Sequence, residues 1–314
     1  MQEVRAIKQR WDTLTLIFLA VFLMVFALCR PMVAVSLGQK ALILAAKNVV
    51  PSLFVYAVGA KLLVGANVST LFCRLPMHGM RRLFGVSEAG LAAVFVGLFA
   101  GFPVGASMLA AFVKRGEMAR AEAAALMPFC NGASASFVVG TVGGVYFHSV
   151  RIGALLFASQ LLSTLLALML TAKKRRACLP IHAPLSTEKA SFFSVFSHAV
   201  GEGASAMVSV TGFIVFFSVL SGAVAYLFGG EGTLFSAVMA SVLEISGGLS
   251  ALSALDIGER LRATLCAFFL GLGGFSVMMQ VADRADIAGI SMHAYPAGKL
   301  LCASLSAVMV FLFG

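Results

Sequence analysis

Long apolar runs separated by short basic clusters make up this chain. A bilayer core about 30 Å thick needs roughly 20 apolar residues per spanning helix, and several of the runs reach that length. The first, residues 13–32, follows Arg5, Lys8 and Arg10. Because Lys and Arg collect in cytoplasmic loops, it predicts a cytoplasmic N-terminus and a helix crossing outward. Arg30 and Pro31 follow its apolar core at 13–29, with no small-residue cleavage site, so this helix is expected to remain uncleaved. Residues 34–50 carry Gln39, Lys40, Lys47 and Asn48 and predict a helix lying at the outer interface. Pro51 then opens a second span, running inward to about residue 66.

The next run, residues 89–113, is long enough to cross, but Gly97, Gly101, Pro103 and Gly105 interrupt its centre. Arg74, Arg81 and Arg82 precede it, and Lys114, Arg115 and Arg120 follow. A single crossing would leave one of these clusters outside, so the pattern predicts a re-entrant hairpin with its tip at Gly101-Phe102-Pro103-Val104-Gly105. Irregular backbone survives at membrane depth only where it is buried or lines a wet cavity. Residues 121–146 predict an outward span broken at Asn131-Gly132-Ala133-Ser134-Ala135-Ser136. Residues 152–172 then return to Lys173-Lys174-Arg175-Arg176, the strongest cytoplasmic anchor in the sequence.

After a polar linker at 173–190 the order recurs. An interfacial helix is expected at 191–206, a span at 207–227, and a second hairpin at 233–255 broken at Glu244-Ile245-Ser246-Gly247-Gly248. A span at 265–281, broken at Gly271-Leu272-Gly273-Gly274, leads to a last helix at 294–313 that leaves the C-terminus outside. Gly116-Glu117-Met118-Ala119-Arg120-Ala121 matches Gly258-Glu259-Arg260-Leu261-Arg262-Ala263 at an offset that also pairs Gly105 with Gly247, Gly132 with Gly274 and Ser134 with Ser276. The first copy enters its first span from outside and the second from inside. The expectation is an all-α polytopic membrane protein: about seven spanning helices plus two re-entrant hairpins, in two inverted repeats. It divides into an N-terminal helix at 1–33, a first repeat at 34–172 with its hairpin near 89–113, the linker, and a second repeat at 191–314 with its hairpin near 233–255.

Composition agrees: 60% of the residues are hydrophobic and 11% charged, at a mean hydropathy of +0.99, where soluble domains carry roughly 25% charged residues. The net charge of +10 sits in loop clusters with no interleaved aromatics, which argues for orientation in a membrane and against nucleic acid. The six cysteines and five histidines are scattered without metal-ligand spacing, so no metal or cofactor is expected. No nucleophile elbow, zinc-protease motif or phosphate loop is present, and an enzyme is not expected.

Inverted repeats with broken helices near the midplane are the architecture of secondary transporters, where half-helix ends and freed backbone groups form the site. Half-helix N-termini offer unpaired amide donors and favour anions. The candidate substrate-binding set is therefore Gly101, Phe102, Pro103 and Gly105 at the first tip; Asn131, Gly132, Ser134 and Ser136 at the first broken span; Glu244, Ser246, Gly247 and Gly248 at the second tip; and Gly273, Gly274, Ser276 and Gln280 at the second broken span. Glu244 is a charge at membrane depth, where insertion costs at least about 2.5 kcal/mol. It either takes part in binding a coupling proton, a cation or the solute, or caps a half-helix. Arg30 and Lys61 are expected to extend their charged ends to the interface, and Glu117 with Arg120, and Glu259 with Arg262, to pair locally. The expected partners are the lipid bilayer and a small anionic solute; a coupling proton or cation and a homo-oligomer are compatible with this reading.

Four stretches resemble the YlbJ-type sporulation integral membrane proteins: Asn48-Val49-Val50-Pro51-Ser52-Leu53-Phe54, Gly97-Leu98-Phe99-Ala100-Gly101-Phe102-Pro103-Val104-Gly105-Ala106, Phe129-Cys130-Asn131-Gly132, and Leu243-Glu244-Ile245-Ser246-Gly247-Gly248-Leu249. Such proteins carry a nucleoside-recognition "gate" domain similar to that of concentrative nucleoside transporters. The resemblance implies a transporter-like fold in the cell membrane of a spore-forming bacterium, at the outer forespore membrane, and movement of dipicolinate, a small aromatic dicarboxylate. A nucleoside transporter and a non-transporting scaffold for spore formation are the alternatives.

Overall fold

The computed structural model describes residues 2–68, 78–176, 191–228, 230 and 232–314. Arg74 and most of the 173–190 linker lie outside the described residues. Among those described, every regular element is helical. The helices are α1 (Gln2–Cys29), α2 (Pro31–Gly65), α3 (His78–Phe84), α4 (Glu88–Ala100), α5 (Val104–Lys114), α6 (Arg120–Leu126), α7 (Ser136–Tyr146, wound as a π-helix), α8 (Val150–Arg176), α9 (Phe192–Leu227), α10 (Leu234–Leu243), α11 (Ile245–Ser253), α12 (Glu259–Leu272), α13 (Gly274–Asp286) and α14 (Tyr295–Phe313). Five segments are long and apolar enough to cross a bilayer: α2, Val150–Lys173 of α8, α9, α12 with α13 taken together, and α14. With large apolar side chains such as Phe18, Met24 and Leu28 standing exposed on its outside, this is an integral membrane protein.

Two expected boundaries are absent. Residues 34–50 do not form a separate interfacial helix: α2 runs unbroken for 35 residues, and Pro51 lies inside it. A π-helical turn at Ala45–Val49 precedes the proline. Proline lacks an N–H and crowds the carbonyl four residues back, and a widened turn accommodates both effects. Gln39, Lys40 and Lys47 project outward while Ala41, Ala45, Val49, Leu53 and Ala57 form a buried stripe at four-residue spacing. Likewise residues 191–206 continue into 207–227 as the single 36-residue α9. Its stripe of Ala199, Gly203, Met207, Val210 and Ile214 packs against α2. At about 1.5 Å per residue each of these two helices is more than 50 Å long, well beyond the hydrocarbon thickness.

Two helical hairpins form where they are expected. α4 and α5 pack against each other across the turn Gly101-Phe102-Pro103, and α10 and α11 across the single residue Glu244. The broken segments also recur, with an irregular stretch between α6 and α7 and a break between α12 and α13 at Gly273, which is left-handed at φ +86°. Ser87 caps α4 by accepting from Gly90 N, and Thr233 and Ser236 form a capping box on α10. Around the hairpins α14 lies between α8 and α12. Arg175, at the end of α8, is buried: its guanidinium donates to Phe84 O and Leu168 O and lies over the Phe129 ring.

Candidate functional site

The first tip is interlocked with the first broken segment. Phe102 N donates to Gly132 O at 2.9 Å, and Ala106 N, in the first turn of α5, donates to Asn131 Oδ1 at 3.0 Å. The amide of Asn131 in turn donates to Met127 O at 2.7 Å. Gly97 and Gly105 flank the carbonyl of Cys130 so closely that a Cβ on either would overlap it. The glycines flanking this turn are therefore there for backbone approach. Gly101 also adopts φ +87° against Ser134. Gly132 and Ala133 are held from the other side by Gln160 of α8, which accepts from Ala133 N at 3.1 Å and donates to Ala133 O at 2.9 Å.

The second tip is self-contained. Glu244 is the N-cap of α11: its two carboxylate oxygens accept from Ser246 N at 2.9 Å and Gly247 N at 2.7 Å. Of the two roles expected for this buried carboxylate, the structure displays the capping one, and two otherwise orphaned amides at a half-helix start account for its place in the interior. Gly248 lies against the backbone of Ser241, and Gly274 brings the start of α13 against the Ser241 and Val242 carbonyls. Ser276 and Gln280 are buried on α13 and bond to each other, with Gln280 Nε2 donating to Ser276 Oγ at 3.2 Å.

A narrow crevice brings the two tips together. Phe102 of the first, Ser134 of the first broken segment and Ser246 of the second tip line it with Val49, Ser52, Leu53 and Phe137. Ser136 is one step away, its hydroxyl 3.3 Å from Ser134 Oγ. Ser276 and Gln280 are not among the described lining residues, and Pro103 faces a different space. That space is a throat between α2, α5 and α9, ending at Pro103 and Val104. It shares Lys61, Val64, Ser107, Glu202 and Ala206 with a wider cavity of about 470 Å³. Lys114, Arg115, His198 and Arg284 also line that cavity, and Glu202 is the one carboxylate among its described lining residues.

Several of these residues escaped the sequence reading. Lys61 does not extend freely to an interface; it forms a salt bridge with Glu202 of α9. Arg30, at the α1–α2 junction, lies over the Tyr226 ring at 5.3 Å. Arg262 donates to Ser253 O at 2.8 Å, and Glu117 lies 3.8 Å from Arg115. Lys299 of α14 is only 3% exposed, and its ammonium donates to Asn131 O at 2.9 Å. Its side chain also passes beside Gly273, so one cation touches both broken segments. A lysine within the 19-residue apolar run of α14 was a visible signal, since ionised side chains in spanning helices are rare and face the interior.

No family model and no solved structure matches this chain. Among curated proteins it is similar to the sporulation integral membrane protein YlbJ of Bacillus subtilis (strain 168), at 25% identity over 337 residues, covering 96% of this chain and 82% of the relative. The chain is YlbJ-like along nearly its whole length. The YlbJ-type resemblance thus extends well beyond the four stretches that first carried it.

Proposed function

We propose that this protein is a secondary transporter or facilitator of a small anionic solute, acting in spore formation as the name of its YlbJ relative suggests, with dipicolinate as the substrate that the resemblance implies. The observation that carries this reading is the basic cavity and its throat, which lead along α5 from Lys114 and Arg115 to Pro103 at the first hairpin tip. A solute entering there meets cationic side chains first and the first hairpin tip last. The charge rule puts the Lys114–Arg115 end in the cytoplasm. Both hairpins are re-entrant on this reading, because each presents a tip to a common crevice in the interior.

The element order supports two inverted repeats. A long helix, a hairpin, a broken segment and a closing helix occur as α2, α4–α5, α6–α7, α8 and again as α9, α10–α11, α12–α13, α14. The offset seen in the sequence brings Phe102 onto Glu244 and Gly132 onto Gly274, so tips and breaks coincide. Adding α1 and the α6–α7 segment to the five long spans gives seven crossings.

Uptake of radiolabelled dipicolinate into liposomes holding the purified protein, beside a nucleoside panel, tests the proposal. Saturable dipicolinate flux is expected. Flux of nucleosides alone would replace the anion reading, and no flux of any solute through folded protein would favour a scaffold.

A further inference from the structure

Lys61 and Glu202 stand where the basic cavity narrows into the throat, and each lines both spaces. Their salt bridge ties α2 to α9. His198, one turn before Glu202, lies 3.9 Å from the carboxylate oxygen that Lys61 does not hold. Beyond the pair the throat is mostly apolar, with Ala57, Ala60, Met108 and Met207 on its walls. A solute moving from the cavity to the hairpin tips therefore has to pass two side chains that neutralise each other.

We infer that the Lys61–Glu202 pair is a selectivity latch that small dicarboxylates open by exchanging partners. The inference rests on the transport reading above. A solute carboxylate takes the place of Glu202 on Lys61, and Glu202 turns to His198, so Lys61 keeps an anionic partner throughout. A neutral solute separates the same pair and supplies nothing in return, so Glu202 can still turn to His198 but Lys61 is left without an anionic partner at the mouth of the apolar throat. A second carboxylate finds Lys114 on the cavity wall, which has no ion-pair partner among the described residues. The other wall cations are engaged: Arg115 with Val64 O, Asn67 and Glu117, and Arg284 with Asp283. The order of preference is dicarboxylate, then monocarboxylate, then the neutral diamide of the same size.

Equilibrium dialysis of radiolabelled pyridine-2,6-dicarboxylate against the detergent-solubilised full chain tests this, with pyridine-2-carboxylate and pyridine-2,6-dicarboxamide as competitors. The diamide should compete about tenfold less well than the dicarboxylate, the scale of one hydrogen bond to a charged group. Lys61→Met should weaken dicarboxylate binding by about the same factor. Glu202→Gln should preserve dicarboxylate binding and reduce the discrimination against the diamide. Equal binding of dicarboxylate and diamide by the wild type overturns the latch, as does a folded Lys61→Met that binds the dicarboxylate normally. Should Lys61→Met fail to fold, the wild-type ratio alone decides. Absence of any binding to the wild type is a different result, and defeats the transport reading together with the latch.

Discussion

The two hairpins have the same outline and are held in opposite ways. The tip between α4 and α5 takes its hydrogen bonds from a neighbour: Gly132 O and Asn131 Oδ1 receive Phe102 N and Ala106 N. The tip between α10 and α11 takes them from itself, through the carboxylate of Glu244. A tip capped in trans moves with the element that caps it, whereas a tip capped in cis keeps its shape wherever it goes. The first hairpin is therefore bound to the broken α6–α7 segment by its cap, whereas the second carries its cap within itself and meets its neighbours, such as α13 at Ser241 and Val242, by packing.

The sharpest way to break the contrast is Gly105→Val. Its side chain would overlap the Cys130 carbonyl, and the cost should be about 3 kcal/mol or more, since neither backbone can yield in a packed interior. Loss of monodisperse protein in detergent chromatography is the expected readout; a normal elution profile and melting temperature would show that the interlock is loose. Next come the two caps. Glu244→Ala and Asn131→Ala each orphan buried donors and should cost about 1–3 kcal/mol in thermal melts. Only Asn131→Ala should also raise hydrogen exchange in both α5 and the 127–135 segment; Glu244→Ala should raise it in α10 and α11 alone. Identical exchange patterns would refute the distinction between trans and cis capping. The smallest effect is expected for Lys299→Met. The substitution removes the cost of burying a cation but leaves the Asn131 carbonyl without its donor, so the two effects offset and the melting temperature should change little. A steep drop would make Lys299 the clamp on Asn131 rather than an inserted charge the fold tolerates.

The sequence made both hairpins legible because their cause is local. A Gly-Phe-Pro-Val-Gly run, or a glutamate followed two residues on by Ser-Gly-Gly, cannot be read through as an uninterrupted apolar helix. Asn131 and Ser134 were recognisable for the same reason, as polar groups amid apolar ones. What stayed hidden depends on partners far along the chain. Lys61 reads as a charge near a helix end until Glu202, on another long helix, is brought beside it. Gln160 looks like an ordinary polar residue of α8, and only the fold shows that it braces Ala133. Pro51 misled in the other direction: its usual place is a helix start, and the π turn that admits it to the middle of α2 leaves no mark in residue type.

That π turn sets the phase of α2. A widened turn of this kind holds one residue more than an α-helix would over the same stretch, and Ala45–Val49 is such a turn. Deleting one residue there would rotate the two parts of α2 against each other by about 100°. The buried stripe that joins Ala41 and Ala45 to Leu53 and Ala57 would split, and Val49, Ser52 and Leu53 would turn away from the crevice where the tips meet. One wall of that crevice is owed to a single supernumerary residue.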